Sequence, residues 1–160
     1  MRKTMRLLSA LFFCGFIVCG CDADEAPSYQ DCKQQGLCIT RYPNGQKLTE
    51  VHYQDGKQHG LWTQWHQTGE KVMEERYQDG KKQGLSTSWN YNGKKATEEC
   101  YKDGKKHGLV TAWYKDGQKW REGSFQDGKL HGLWIYWHEN GQKKEERHYQ
   151  DDKLISRQEF

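Results

Sequence analysis

The chain has 160 residues, enough for one domain, and its 25 basic and 22 acidic residues give a formal net charge of +3. Leu, Ile, Val and Phe supply only 24 of the 160 residues, too few for a broad aliphatic core, but seven Trp and nine Tyr can stabilise a thin ordered fold. Because acidic residues are interleaved with the basic ones, the sequence argues against a nucleic-acid partner.

Residues 1–20 predict a secretory signal peptide. Arg2, Lys3 and Arg6 form a basic segment, and residues 7–18 form an apolar run of 12 residues. That run is shorter than the ~20 residues that a membrane-spanning helix requires. The alternative interpretation is a short membrane anchor. The three basic residues account for the whole net charge of +3, so the remainder of the chain is formally neutral.

The four residues "VCGC" at 18–21 resemble the lipobox of bacterial lipoproteins. The resemblance implies that Cys21 receives the lipid and becomes the new N-terminus, with residues 21–28 forming a short tether. It further implies a membrane-anchored protein of the cell envelope that faces away from the cytoplasm. If the host has two membranes, Asp22 resembles the signal that retains lipoproteins in the inner membrane.

A repeat of 24 residues occupies the remainder of the chain, residues 29–160. Units start at residues 29, 53, 77, 101 and 125, and a partial unit starts at 149. A fixed short period of this kind indicates a repeat architecture in which each unit covers its neighbour. Two positions recur as large apolar residues: Leu37, Leu61, Leu85, Leu109 and Leu133, and then Trp65, Trp89, Trp113 and Trp137.

Turn signals alternate every 11 to 13 residues between these apolar segments. Asp-Gly pairs, as at residues 103–104, alternate with pairs such as Asn92-Gly93, and both predict type I′ hairpin turns. Between them, stretches such as "LVTAW" alternate with a period of two residues, which is typical of a strand. The predicted fold class is all-β: a single-layer antiparallel β-meander, or solenoid, of 24-residue β-hairpin repeats with about ten strands.

The aromatic residues divide into two sets. Trp65, Trp89, Trp113 and Trp137 recur with the leucines, so we interpret them as a structural stripe that packs the sheet. Other aromatics stand where sister repeats carry small residues, so the fold does not require them: Trp62, Trp120, Trp134 and Tyr136. By alternation, three of these (Trp62, Trp134 and Tyr136) point away from the stripe, and we predict that the set binds a partner.

Neither a metal site nor a catalytic site is expected. The recurring histidines, such as His107 and His131, belong to successive repeats about 10 Å apart, whereas zinc ligands lie ~2 Å from one ion. The recurring glutamates are too far apart for a glycosidase acid pair and predict a cross-strand charge ladder with lysines. We therefore expect no cofactor and no enzymatic activity.

Export would permit disulfides among the remaining cysteines. Cys32 and Cys38 would lie ~20 Å apart in a straight strand, so a bridge requires residues 32–38 to curl into an irregular cap. The sequence leaves this open. Cys100 then remains either free or available for an intermolecular bond.

The recurring words "YQDGKxHGLWTxWxxNGQKxxEExY" resemble the MORN repeat, in the variant found in bacterial proteins grouped as YwqK-family antitoxins. The resemblance spans residues 29–149 and implies a stack of β-hairpins. It also implies a non-enzymatic, monomeric binding or scaffold module that recognises a protein, such as a toxin or an envelope component. The alternative is a carbohydrate or cell-wall binding module that uses surface aromatics.

Overall fold

The computed structural model describes residues 32–160. The predicted signal peptide, the proposed lipid-carrying Cys21 and the tether lie outside the described residues, as do residues 29–31 at the start of the repeat domain. Within the described residues, no helix is long and apolar enough to cross a membrane.

Twelve antiparallel strands form one open sheet in which neighbours in sequence are neighbours in space, with short β5 paired beside β6 on β4. The predicted single-layer meander of hairpin repeats is confirmed. The strand count exceeds the predicted ten partly because Gln83 divides one hairpin arm into β5 and β6. The strands are β1 (Gly36–Arg41), β2 (Lys47–Gln54), β3 (Lys57–Trp65), β4 (Lys71–Gln78), β5 (Lys81–Lys82), β6 (Gly84–Trp89), β7 (Lys95–Lys102), β8 (Lys105–Trp113), β9 (Lys119–Gln126), β10 (Lys129–Trp137), β11 (Lys143–Gln150) and β12 (Lys153–Glu159).

The two sets of turns have different geometries. In the first set, the Asp-Gly turns at 55–56, 79–80, 103–104 and 127–128, both central residues have positive φ, 51° at Asp103 and 81° at Gly104, as a type I′ turn requires. In the other set only the glycine has positive φ, 84° at Gly45. Its amide donates to the carbonyl of Tyr42, whose own amide donates to Gln46, so three residues form the loop. The prediction of type I′ turns is therefore wrong for this set, because a three-residue loop places only its last residue in the left-handed region.

Hydrogen bonds tie each Asp-Gly turn to the preceding repeat. The Gly104 amide donates to the Lys82 carbonyl at 2.9 Å, and the Gly128 amide donates to the Lys106 carbonyl at 2.8 Å. At the opposite end of the strands, where the second set of turns lies, the Tyr114 hydroxyl donates to the Trp137 carbonyl at 2.8 Å. Both rows of turns, one at each end of the strands, are thus held by hydrogen bonds between consecutive repeats.

Residues that pair directly across strands share a face of the sheet. Leu61 pairs with Arg76 and Thr63 pairs with Glu74, whereas Trp62 between them pairs with Glu75. We call the side that carries the recurring leucines and tryptophans the Leu–Trp face. The opposite side, which carries Glu75 and the recurring tyrosines such as Tyr77, is the Glu–Tyr face.

Candidate functional site

The leucines of the Leu–Trp face form an exposed apolar row across the sheet. Its members stand on every second long strand and are between 36% and 56% exposed: Leu37, Leu61, Leu85, Leu109 and Leu133. Two strands at ~4.8 Å spacing separate consecutive leucines by about 10 Å. Sequence reasoning placed these leucines correctly on one face with the tryptophan stripe but expected that face to be covered. A threonine beside each of three leucines is buried instead: Thr63, Thr87 and Thr111.

The tryptophan stripe lies on the same face and is half-buried under lysines. One lysine of each repeat lies over the stripe tryptophan of the next repeat; for example, the Lys95 Nζ is 6.0 Å from the centre of the Trp113 ring. At the C-terminal end Phe160 takes the place of a tryptophan, 4.9 Å from the Lys143 Nζ. The same contact covers the other stripe members, Trp65, Trp89 and Trp137.

The lysines that cover the stripe are also paired with the recurring glutamates. Lys71 donates to Glu74 at 2.6 Å, and Lys95 donates to Glu98 in the same way. These partners are three residues apart within one strand, next to a bulge, so the expectation of cross-strand pairs is wrong. The Leu–Trp face is therefore electrically balanced along its lysine–glutamate rows.

The Glu–Tyr face contains buried carboxylates that are fully engaged in the central repeats. Glu75 is 4% exposed and accepts hydrogen bonds from Tyr77 and Lys82. One repeat later, Glu99 accepts hydrogen bonds from Tyr101 at 2.8 Å and Lys106 at 2.7 Å. We call these two groups the polar clusters.

The polar clusters shift the pKa values of Glu99 and of the two tyrosines. Burial tends to raise the pKa of Glu99, but the hydrogen bonds from Lys106 and Tyr101 outweigh it and hold the pKa below its usual value. Burial and the hydrogen bond to the carboxylate raise the pKa of Tyr101, and the same holds for Tyr77 beside Glu75. The Glu99 carboxylate therefore stays charged and the two phenols stay protonated at neutral pH. Their lone pairs and protons are used in hydrogen bonds with one another.

The prediction that Trp134 lies on an exposed face is wrong. Its side chain is only 1% exposed, and its ring packs against Phe125 and Tyr149 with ring centres 5.3 and 6.3 Å apart. A Cβ at Gly123 would lie 2.2 Å from the ring, so the indole occupies space that only glycine leaves free. Burial arises because several positions of this repeat change together, and Trp134 is a core residue.

The other three predicted partner-binding aromatics differ in accessibility. Trp62 is half-buried between Val51 and Glu75 on the neighbouring strands. Tyr136 is also half-buried, with the Arg147 guanidinium carbon 4.8 Å from its ring centre. Trp120, where β9 begins, is 41% exposed and offers the largest accessible ring of the set.

Two arginines follow the aromatics on the Glu–Tyr face. The Arg121 guanidinium carbon lies 4.7 Å from the ring centre of Trp120 and 5.8 Å from that of Trp134. Within residues 32–160 the buried Nε of Arg121 has no hydrogen-bond partner. The buried Nε of Arg147 also lacks a partner there, but its Nη2 donates to Glu145 at 2.7 Å. Sequence reasoning overlooked Arg121, although it stands where sister repeats carry Thr49, Met73, Thr97 and Glu145.

The last carboxylate of this face fixes the C-terminal strand. Glu145 is 3% exposed and pairs with Arg147 at 2.7 Å and with Arg157 of β12 at 2.6 Å. Burial tends to raise the pKa of Glu145, but the two arginines outweigh it and lower the pKa. β12, which is exposed along its whole length, is thereby attached to the sheet by a buried charge.

The recurring histidines and glutamines lie beside the turns, as expected. Asp103 donates its backbone amide to the Gln83 side chain at 2.7 Å, and Asp127 donates its amide to His107 Nδ1 at 3.4 Å. In the part of the chain that the structure describes, no group of three or more His, Cys, Asp or Glu residues could hold a metal ion. These side chains thus hold the Asp-Gly turns by accepting hydrogen bonds from their backbone amides.

A disulfide joins Cys32 to Cys38, with the two Cα atoms 5.3 Å apart. A turn at Lys33 and Gln34 precedes β1 and brings the two cysteines together, which is the curled cap that such a bridge requires. Cys100 is a free thiol, half-buried on β7.

Comparison with solved structures finds distant matches. One is TarM of S. aureus, crystallised as the G117R mutant with fondaparinux, alpha-GlcNAc-glycerol and UDP, at 9% identity and a TM-score of 0.39. Another is the Gap123 complex of Streptococcus agalactiae, at 10% identity and a TM-score of 0.38. The first match covers 79% of this chain and 22% of the other, and the second covers 68% and 24%. At these scores neither bears on function.

Sequence comparison identifies the repeat itself. No curated protein matches the chain significantly. The MORN repeat variant, however, matches four stretches that together exceed half of the chain: residues 34–55, 82–103, 106–127 and 130–151. The stretch between the first two has the same hairpin in the structure, formed by β3 and β4. The chain belongs to the MORN repeat variant family.

Proposed function

We propose that the protein is a non-enzymatic binding module that holds a protein partner on its Leu–Trp face. The observation that carries this proposal is the exposed leucine row, which presents one apolar side chain per repeat across the whole sheet. Exposed apolar side chains that recur along one face of a domain are candidate contacts for a partner. Partner binding by Trp62, Trp120 and Tyr136 on the opposite face stays a prediction.

The spacing of the row favours an amphipathic α-helix as the binding element of the partner. Consecutive leucines lie about 10 Å apart because two strands separate them. In a helix, residues seven positions apart are separated by about 10.5 Å along the axis. An apolar residue at every seventh position would therefore meet each leucine in turn, and a helix of about 28 residues would span the row.

The charges beside the row favour a partner of mixed charge. Lysines and glutamates of this face are paired with one another, as Lys71 is with Glu74, so the face attracts neither strongly acidic nor strongly basic surfaces. Shape and apolar contact would then determine affinity, and charge would contribute mainly to specificity.

We further propose that Cys21 carries a lipid and holds this module at the membrane of the cell envelope, facing away from the cytoplasm. The support is the lipobox-like "VCGC" after a basic and apolar segment. Replacing Cys21 with Ser should move the protein from the membrane fraction to the soluble fraction. Tight membrane association of the variant would instead support the short-anchor interpretation. A toxin-neutralising role would make the partner a toxin, as the family resemblance suggests.

The face can be tested with a defined probe. We would titrate the full chain with a synthetic helical peptide of about 28 residues carrying leucine at every seventh position. The expected result is saturable binding that weakens about tenfold or more in Leu85→Lys and Leu109→Lys. Leu154→Lys is the matched control, because Leu154 is an equally exposed leucine outside the row. Equal binding by a scrambled peptide, or an equal loss in the control, would refute the proposal.

The natural partner can be sought with the same matched pair of positions. A photo-reactive residue at position 109 should cross-link to a partner protein in cells, and one at position 154 should not. Cross-linking from both positions would contradict a specific face. The rival carbohydrate function predicts instead that the full chain binds a glycan array and that leucine substitutions leave this binding unchanged.

A further inference from the structure

Arg121 is the least explained charged residue of the sheet. Its guanidinium carbon lies within 6 Å of the ring centres of both Trp120 and Trp134. Its buried Nε lacks a hydrogen-bond partner within the described residues. An arginine donor buried without an acceptor destabilises a fold, so its presence needs a reason. The repeat does not require it, since the equivalent positions carry Thr49, Met73, Thr97 and Glu145.

The surrounding acidic groups do not satisfy Arg121. Glu99 is close enough for Arg121 to lower its pKa, but this carboxylate is already bound by Lys106 and Tyr101. Glu145 is held by Arg147 and Arg157. Both internal carboxylates are therefore engaged elsewhere. The Nε of Arg121 is buried, but its two Nη groups are not among the buried unpaired atoms and remain available to an external acceptor.

Contact with an aromatic ring prepares this guanidinium for binding. An arginine that lies flat against an aromatic ring keeps its N–H groups directed outward in the plane of the fork, which fits a carboxylate with two parallel hydrogen bonds. Trp120 shields one side and is itself 41% exposed, so it can also contact a ligand. Tyr136, which pairs with Arg121 across the strands, forms the other border. Arg, Trp and Tyr are the residues enriched in interface hot spots.

We propose that Arg121, Trp120 and Tyr136 form a binding site for a single carboxylate on an acidic peptide segment. The negative charges of Glu99 and Glu145 nearby disfavour polyanions such as nucleic acids, and one carboxylate suffices to satisfy one fork. The site lies on the Glu–Tyr face, opposite the leucine row, and does not depend on the partner proposed for that row.

The experiment follows the Arg121 side chain directly. The full chain is labelled with ¹⁵N-arginine, and the Nε–H signal of Arg121 is observed while a short peptide, acetyl-Leu-Glu-Trp-amide, is added. The matched probes are the same peptide with Gln in place of Glu, and inorganic phosphate. We expect a saturable shift with the Glu peptide and affinity about tenfold weaker for the Gln peptide.

Two variants separate binding from structural damage. Arg121→Gln should weaken the Glu peptide about tenfold, and Arg121→Lys should weaken it to a similar degree because it keeps the charge but loses the fork. Arg76→Gln, an exposed arginine on the other face, is the control and should bind normally. Melting temperatures of all three confirm folding. Equal affinity for the Gln peptide, no shift of the Arg121 signal, or tighter binding of phosphate would overturn the proposal.

Discussion

Two regions of the Glu–Tyr face occupy equivalent positions of the repeat and are filled in opposite ways. In the central repeat, the polar cluster consists of Glu99, Tyr101 and Lys106 next to Val110. Exactly 24 residues later in each case, the same positions carry an apolar cluster of Gly123, Phe125, Leu130 and Trp134.

The difference shows that these positions change as a set. Trp134 needs the space that Gly123 leaves, and a charged side chain at position 130 would be buried against its ring without an acid partner. In the polar version, the lysine and the tyrosine both donate hydrogen bonds to the glutamate, so its loss would leave them without that acceptor. One substitution in either cluster therefore leaves a clash, a cavity or an unpaired group.

The largest expected effect comes from removing the centre of the apolar cluster. Trp134→Ala should lower the free energy of unfolding by about 3–5 kcal/mol, because it opens a cavity between Phe125 and Tyr149. Thermal or chemical denaturation of the full chain measures this. Trp113→Ala, on the half-buried stripe, is the matched tryptophan variant and should cost clearly less. A larger loss in Trp113→Ala would mean that the stripe forms the main core.

The second prediction converts one cluster into the other. Val110→Trp alone should destabilise the protein by about 1–3 kcal/mol, since Glu99 occupies the space the ring needs. Adding Glu99→Gly, Tyr101→Phe and Lys106→Leu should recover most of that loss by reproducing the apolar set. Denaturation of the single and fourfold variants provides the comparison. If the fourfold variant were less stable than Val110→Trp, the two fillings would not be interchangeable.

The third prediction concerns acid. Hydrogen bonds lower the folded-state pKa of Glu99 below its ordinary value of 4.5, so its contribution is complete above about pH 4.5 and is lost as the pH falls through the lowered value. Glu99→Gln should be less stable than the natural protein by about 1 kcal/mol at neutral pH. The two melting temperatures should converge as the solution is acidified. A constant difference from pH 7 to pH 2 would contradict a charged Glu99 in the folded protein.

The smallest expected effect lies on the Leu–Trp face. Lys95→Ala removes the ammonium over Trp113 and the ion pair with Glu98, and the Lys95 side chain is itself about half exposed to solvent. The expected loss is about 0.5 kcal/mol, and added salt should reduce it. Lys102→Ala, an exposed lysine of the same strand β7, is the control for general charge effects. A loss comparable to that of Trp134→Ala would show that the stripe depends on its lysines.

The sequence predicted the fold well because its signals are local and repeated. The glycine has positive φ in both sets of turns, and a period of 24 residues fixes the order of the strands. Alternation also showed which residues share a face, as it did for Leu61, Thr63 and Trp65. It did not show which face is covered, because that depends on the residues that lie across neighbouring strands.

Trp134 illustrates what was missed and how it could have been found. Considered alone, it replaces small residues such as Ser86 and therefore resembles a dispensable surface aromatic. Considered with its neighbours, it coincides with the loss of a glutamate at position 123 and of a lysine at position 130. Simultaneous departures of one repeat from the common pattern are the signal of a buried cluster. The second set of turns was missed for a similar reason, since Asn-Gly fits two loop lengths.

The bonds from each Asp-Gly turn reach only the preceding repeat, and this affects how quickly each part of the sheet opens to solvent. Every strand is held only by its immediate neighbours, so no contact links the first described repeat to the last. Amide exchange with deuterated water should therefore form a gradient along the chain, fastest in β12, whose outer edge is free, and slowest in the middle strands. The end at β1 should exchange more slowly than β12, because the Cys32–Cys38 bridge closes it.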